Sequence, residues 1–237
     1  MRPSVAVVIP TYNEAENLTS IARAVRAHGY QLVVVDDDSP DGTGRLADQL
    51  ATEDAGITVV HRPAKLGLGP AYADGFAGVL DTDVEIVCQM DADFSHDPGD
   101  LPTLVATVEG GAEVAIGSRY VPGGSVPGWP LHRRLLSQGG NAYARLLLGT
   151  TIQDMTSGFR AYRSRVLRTL QPATCEASGY GFQVEMSRRC HDQGLSVVEV
   201  PITFRDRERG ESKMHWRIAL EAMRLVTVWG IRRKVGR

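Results

Sequence analysis

The sequence predicts an α/β domain built on a mostly parallel central sheet flanked by helices. Three observations predict it. Short β-branched runs alternate with helical patterns along the first half of the chain. Each run is apolar throughout instead of alternating apolar with polar residues, the pattern of a strand covered on both faces. Several runs end directly in acidic or polar loops, and open sheets of this kind bind ligands beyond the carboxyl ends of their strands.

The elements follow in order. The amino-terminal MRPSVAVVIP carries no small-residue cleavage pattern, so VAVVI (5–9) is read as a first strand and not as a signal peptide. Further strands are expected at LVVVD (32–36), ITVV (57–60), VEIVCQM (84–90) and EVAIGS (113–118), with helices at 15–28, 42–53, 68–80 and 101–109 between them. The second half is less regular. A Gly/Pro loop, VPGGSVPGWP (121–130), leads into a helix over 131–148. The segment DMTSGFRAY is read as irregular. A helix over 181–193, a strand SVVEVPITF (196–204), an arginine-rich loop (205–213) and a final helix complete the chain.

The totals bound the function. The length of 237 residues and 43% apolar content fit one large domain, or one domain plus a small appendage. A net charge of −2 gives no overall attraction for nucleic acid, so no nucleic-acid partner is expected and any cationic function must be local. Cys88, Cys175 and Cys190 form no C-x-x-C, which argues against a disulfide framework or zinc cluster and for a reducing, cytoplasmic setting. No run of about 18 apolar residues exists to span a membrane. The nearest approach, 218–231, is interrupted by Glu221 and Arg224.

The strand ends carry the chemistry. PTYNE (10–14) follows the first strand, DDDSPDGT (36–43) the second, MDADFSHDP (90–98) the fourth and GSRY (117–120) the fifth. Asn13 and Asp41 suit helix caps. Asp91 and Asp93, two positions apart, suit a hard divalent cation, which takes one or two carboxylates plus substrate phosphates and relieves the repulsion between them. Ser95 offers a hydroxyl nearby. A general acid–base role for the pair is weaker, because the sequence shows no obvious histidine or water-activating partner beside it. KLGLGPAY (65–72) is not G-x-G-x-x-G, since Tyr72 holds the third glycine position, and no phosphate-binding P-loop occurs. Its glycines are expected to allow a close approach and start a helix. Arg119, Arg133, Arg134, Arg205, Arg207, Arg209 and Lys213 lie in or beside loops, and guanidinium forks match phosphate oxygens.

These residues resemble the dolichol-phosphate (polyprenol-phosphate) mannosyltransferases within the family 2 glycosyltransferases. The matching stretches are VVIPTYNEAENL, VVVDDDSPDGT, KLGLGPAYADGF, MDADFSHDP, GSRYVPGG, RRLLSQGGNAYARLLLG, DMTSGFRAYRSRVL, GYGFQVEM and RGESKM, running from about residue 5 to 214. The resemblance implies a GT-A fold, a GDP-mannose donor, a polyprenyl phosphate acceptor and Mg²⁺ or Mn²⁺. It implies that Pro10, Tyr12, Glu14, Val35 and Asp37 line the nucleoside pocket. Asp91, Ala92 and Asp93 would sit at the diphosphate, with Asp91, Asp93 and Ser95 around the metal. Many relatives carry glutamine where this chain has Ser95. Arg119, Arg207 and Lys213 would meet donor phosphates or the reacting sugar, and Arg133 and Ser137 the acceptor phosphate. Asp93, Arg119 and Asp154 are the expected catalytic set, with Asp154 orienting an arginine or a sugar hydroxyl. Transfer of glucose from UDP-glucose, a silent nucleotide-sugar-binding subunit and a nucleotidyltransferase are the alternatives.

Residues 1–213 are thus expected to form the catalytic domain. Residues 214–237, with Trp216, Leu220 and Met223 followed by Arg232, Arg233 and Lys234, read either as an amphipathic basic helix at a membrane surface or as a helix packed on the domain. The expected location is peripheral, at the cytoplasmic face of a membrane, where relatives also suggest a membrane-embedded partner subunit or domain.

Overall fold

A computed structural model describes residues 3–177, 179, 181–206 and 216–235. Seven strands form one sheet: β1 (Val5–Thr11), β2 (Gln31–Asp36), β3 (Ile57–His61), β4 (Ile86–Gln89), β5 (Val114–Ser118), β6 (Arg160–Arg163) and β7 (Val197–Pro201). Their spatial order is β3-β2-β1-β4-β6-β5-β7. β6 runs antiparallel to both neighbours, and every other pairing is parallel. The helices are α1 (Ala15–Ala27), α2 (Thr43–Glu53), α3 (Leu68–Leu80), α4 (Leu101–Glu109), α5 (Leu131–Leu148), α6 (Ser164–Leu170), α7 (Gly181–Asp192) and α8 (Trp216–Val235).

Strand pleating sends successive side chains to opposite faces, and both faces are covered. Val5, Val7 and Ile9 of β1 pack with Leu18, Ile21 and Val25 of α1 and Leu101, Leu104 and Val108 of α4. Ala6 and Val8 pack on the other side with Tyr72 and Phe76 of α3, Phe182 and Met186 of α7, and Val226 and Trp229 of α8. This two-sided burial explains why the strands read as unbroken apolar runs. In α8, Thr227 Oγ1 lies 2.7 Å from Tyr143 Oη, so this stretch of the helix rests on α5.

The mostly parallel sheet matches the expectation. The irregular reading of DMTSGFRAY does not hold at its end. Residues 160–163 form β6 in the middle of the sheet, and α6 follows. Four residues are too short to show a period, and Arg160 conceals the strand by being polar. Its guanidinium is fully buried, donating to the carbonyl oxygens of Ser157, Met155 and Gln183 at 2.8–3.0 Å. The glycine loop behaves as expected. Gly67, with φ +107°, starts α3, and a Cβ at Gly69 would meet the Ala177 carbonyl oxygen at 2.8 Å.

Asp41, one of the two residues suited to capping, pins two helix starts at once. It accepts from the Ala15 amide at 3.1 Å and from the Thr43 amide at 3.0 Å. Asn13 instead sits at φ +56°, and its amide donates to Ser39 Oγ at 3.1 Å.

Candidate active site

The topology gathers the site. The parallel strands β1, β2, β4 and β5 deliver the residues that follow them to one edge. Because β6 is antiparallel, it delivers to that same edge the residues that precede it. Asp154 therefore meets Arg119, although the two come from opposite sides of their strands.

Their contact is the most fully built in the site. Arg119 Nε and Nη2 donate to the two Asp154 carboxylate oxygens at 2.7 and 2.6 Å, and the Arg119 amide donates to Oδ2 at 3.0 Å. Arg119 Nη2 also donates to Thr156 Oγ1 at 2.7 Å. The side chains are 9% and 0% exposed. Burial alone would push the carboxyl up, but hydrogen bonds and charge from Arg119 outweigh it and hold Asp154 below the usual carboxylate range. Burial likewise works against the charged Arg119, and Asp154 reverses it, leaving the guanidinium more firmly protonated than usual. Behind the pair, Glu199 accepts from the Gln153 and Asp154 amides at 2.6 and 2.9 Å and fixes the loop. Asp154 thus holds the Arg119 side chain in a fixed fork.

Asp91 and Asp93 follow β4. Tyr72 Oη donates to Asp91 Oδ1 at 3.3 Å, and the Ser95 amide donates to Asp93 Oδ1 at 3.1 Å. The Tyr72 hydroxyl is pushed well above its ordinary value by burial first, and then by the charges of Asp91 and Asp93. The two aspartates therefore act on one hydroxyl. Among the described residues no three His, Cys, Asp or Glu side chains form a self-contained metal cage. The donor set fits a hard divalent cation that takes the rest of its oxygens from a substrate. Ser95 Oγ, buried and without a hydrogen-bond partner among the described residues, lies beside them.

The expectation of no histidine near the acid pair is corrected. His96 Nδ1 lies 3.9 Å from Asp91 Oδ2. Its ring is buried, stacked on Phe159 at 5.1 Å and edge-on to Phe204 at 5.3 Å. Burial lowers its pKa to about 4, so it is neutral at physiological pH and poorly suited to take a proton there.

The basic groups are joined by aromatic rings. Arg119 and Arg133 both lie over Trp129, at 5.8 and 4.0 Å from its centroid, and Arg119 also contacts Phe204 at 5.3 Å. Arg133 Nη1 donates to Asp206 Oδ2 at 2.9 Å, and Trp129 Nε1 donates to Asp206 Oδ1 at 3.0 Å. Ser137, one turn after Arg133 on α5, accepts from Tyr120 Oη at 2.6 Å. One turn further, Asn141 donates to Thr156 Oγ1 at 3.2 Å and accepts from the Met155 amide at 2.8 Å. One face of α5 thus reads Arg133, Ser137 and Asn141 toward the Arg119–Asp154 pair.

At the other end of the edge lie the residues expected to line a nucleoside pocket. Lys65 Nζ sits 3.9 Å from the Tyr12 ring centroid. Glu14 Oε2 accepts from Asn17 Nδ2 at 3.0 Å. Pro10 is half-buried at the end of β1, and buried Asp37 is ion-paired with Arg62. Val35 and Ala92 turn their side chains into the two apolar cores, leaving only their main chains for a ligand. Arg207 and Lys213 lie outside the described residues. Sequence reasoning missed Arg62, Tyr72, His96, Trp129 and Phe204. Arg62 follows β3 in HRPAK, and a strand-end charge was the available signal; the aromatic residues carried none that separates them from core.

The sequence profile of glycosyl transferase family 2 matches residues 6–171. The chain is 49% identical over 234 residues to the polyprenol monophosphomannose synthase of Mycolicibacterium smegmatis, covering 98% of this chain and 88% of that protein. It is 46% identical over 229 residues to the undecaprenyl-phosphate mannosyltransferase of Micrococcus luteus, covering 96% and 94%. Among solved structures, glucosyl-3-phosphoglycerate synthase from Mycobacterium tuberculosis, in complex with Mn²⁺, UDP and glucosyl-3-phosphoglycerate, superposes with a TM-score of 0.69 at 22% identity over 99% of this chain and 80% of that one.

Proposed function

The chain belongs to glycosyl transferase family 2, and from that membership we propose that it moves a mannosyl group from GDP-mannose to a polyprenyl monophosphate, giving polyprenyl-phosphate mannose. Its GT-A-like sheet supplies the frame. Two relatives named for mannose transfer to polyprenyl-type phosphates, each covering nearly the whole chain, support the reaction class. The observation that carries the reading is the meeting at one sheet edge of an aspartate pair, a locked Arg119–Asp154 pair and Arg133.

On this reading a phosphate oxygen of the acceptor attacks the anomeric carbon in line, the bond to GDP breaks, and the configuration inverts. An alcohol acceptor would need a base to remove its proton. A phosphate monoester, with a second pKa of about 6, arrives largely dianionic and needs none. That agrees with a site whose buried histidine among the described residues, His96, is a weak base. Asp91 and Asp93 would hold Mg²⁺ or Mn²⁺, which when bound neutralises charge on the leaving diphosphate. Arg119, fixed by Asp154, presents its cation to the donor without reorganising, and Arg133 and Ser137 hold the acceptor phosphate against anion–anion repulsion. Tyr12 and Asp37 would meet the base.

We also place the protein at the cytoplasmic face of a membrane. No helix among the described residues is long and apolar enough to cross one. The outward side of α5 exposes Leu135 and Leu146, opposite Ser137, with Leu136 on the flank one turn from Arg133, and α8 exposes Met223 and Ile231. The helix that would hold the acceptor phosphate thus offers an apolar side to the acyl layer, a feature of structure that adds to the membrane contact expected at 214–237. The cysteines stand as free thiols, which fits a reducing compartment. Lipid vesicle flotation of the full chain should show binding that weakens when Leu136 and Leu146 become serine; equal flotation of the variant would remove α5 from the surface.

The reaction itself is tested by transfer of radiolabelled mannose from GDP-mannose to a polyprenyl phosphate, abolished by chelator. Transfer from UDP-glucose in its place would overturn the donor. For Arg133→Ala the expected change is a rise in the lipid KM of about tenfold to a hundredfold with donor affinity unchanged. A loss confined to donor binding would reverse the assignment.

A further inference from the structure

We propose that Arg62 is a positioning residue for the nucleobase, fixing the Asp37 carboxylate so that the pocket takes guanine in preference to uracil. The inference rests on the donor reading above and names a residue that reading does not use. Arg62 immediately follows β3, and its side chain is 3% exposed. Its amide donates to the Asp36 carbonyl oxygen at 2.9 Å, which fixes the backbone. Nη1 donates to Asp37 Oδ1, and Nε donates to Asp74 Oδ2 on α3 at 2.7 Å. The guanidinium therefore ties the end of β2 to α3 and takes up one oxygen of a buried carboxylate.

The chemistry follows from which groups donate. Guanine presents two adjacent donors, N1–H and the N2 amino group, and an ionised carboxylate only accepts. Uracil presents one donor between two carbonyl oxygens, which a carboxylate repels. A protonated carboxyl has a donor of its own and loses that distinction. Asp37 faces Arg62, with Asp74 behind it, the neighbouring Asp36, and Lys65. Burial, the largest influence, pushes the Asp37 carboxyl up, and Asp36 adds to the push; Arg62, by hydrogen bond and by charge, and Lys65 more weakly, limit that rise without cancelling it, so the carboxyl stays above its ordinary value. Without Arg62 the carboxyl would hold its proton to higher pH and be free to turn.

Calorimetric titration of the full chain with GDP and with UDP, each with Mn²⁺, tests this from mildly acidic to mildly alkaline pH. The unmodified protein should prefer GDP at neutral and alkaline pH, and lose some of that preference only toward the acidic end. Arg62→Met should lose GDP affinity by about tenfold to a hundredfold, recover part of it as pH rises and the carboxyl ionises, and bind UDP no worse than before. The double variant Arg62→Met/Asp37→Asn removes both buried charges together and so avoids stranding one. It should stay folded, unselective and independent of pH. Retention of the full GDP preference at mildly acidic pH by Arg62→Met, or at any pH by the double variant, overturns the inference. So does an equal loss of both nucleotides at every pH, which is what a merely structural tie would give. If the unmodified protein itself prefers UDP or binds neither nucleotide, the donor reading fails, a result distinct from failure of the role of Arg62.

Discussion

Replacing Asp93 with alanine lowers mannosyl transfer by about a hundredfold to a thousandfold, the usual cost of deleting one group that stabilises developing charge. The fold should survive. Asp93 is 7% exposed, and Oδ1 accepts from the Ser95 amide, so alanine strands one amide at a cost of about 1–3 kcal/mol. Asp93→Asn keeps an acceptor for that amide while removing the charge. It should match the alanine variant in activity yet melt closer to the unmodified protein. Mn²⁺ binding followed by electron paramagnetic resonance, in the presence of GDP, gives a readout apart from turnover and should weaken in both variants. Substantial transfer by Asp93→Ala without added metal would contradict the site.

The second large effect concerns Asp154. Asp154→Ala leaves the Arg119 cation buried without its partner, a loss of about 3–5 kcal/mol. For a chain of this size that is a fall in Tm on the order of 10 °C. Transfer should also drop about a hundredfold or more, because Arg119 loses the fork that aims it. The double variant Arg119→Met/Asp154→Ala removes both charges. It is expected to recover most of the Tm and none of the activity, measured by scanning calorimetry and the transfer assay. A double variant as unstable as the single one would show that the pair's charge balance is not what holds the loop. The pH dependence has a definite sign. Asp154 is held below its unfolded value of 3.8, so its stabilisation is complete above that value and is lost as pH falls through the lower folded value. Neutral and mildly acidic solutions should leave it intact.

β1, β2, β4 and β5 are legible because each is buried on both faces, and such burial writes itself as an unbroken apolar run; β3, at the sheet edge and only partly buried, is legible from its β-branched residues. The helices were found because their one-sided burial imposes a helical period, as the buried Leu18, Ile21 and Val25 of α1 do. β6 was missed because four residues carry no period and one of them is a buried arginine. His96 was missed as a neighbour of Asp91 because the turn that brings it back, with Phe94 at φ +58°, has no marker such as glycine. Trp129 and Phe204 lie in loops some 75 residues apart and meet only in space, at 5.6 Å. Arg207 and Lys213 fall outside the described residues.

Sequence by itself determined the layered α/β architecture, the strand ends at which charge collects, and the family resemblance, since each is set by local burial pattern or by ordered motifs. Tertiary structure alone decided which charges meet. An antiparallel strand sends its preceding loop where parallel strands send their following ones, so Asp154 reaches Arg119 and not solvent. Likewise the Asp37–Arg62–Asp74 chain exists because β2, β3 and α3 are packed side by side. The physical reason is that desolvation and charge pairing depend on distances across the fold, which spacing along the chain does not encode.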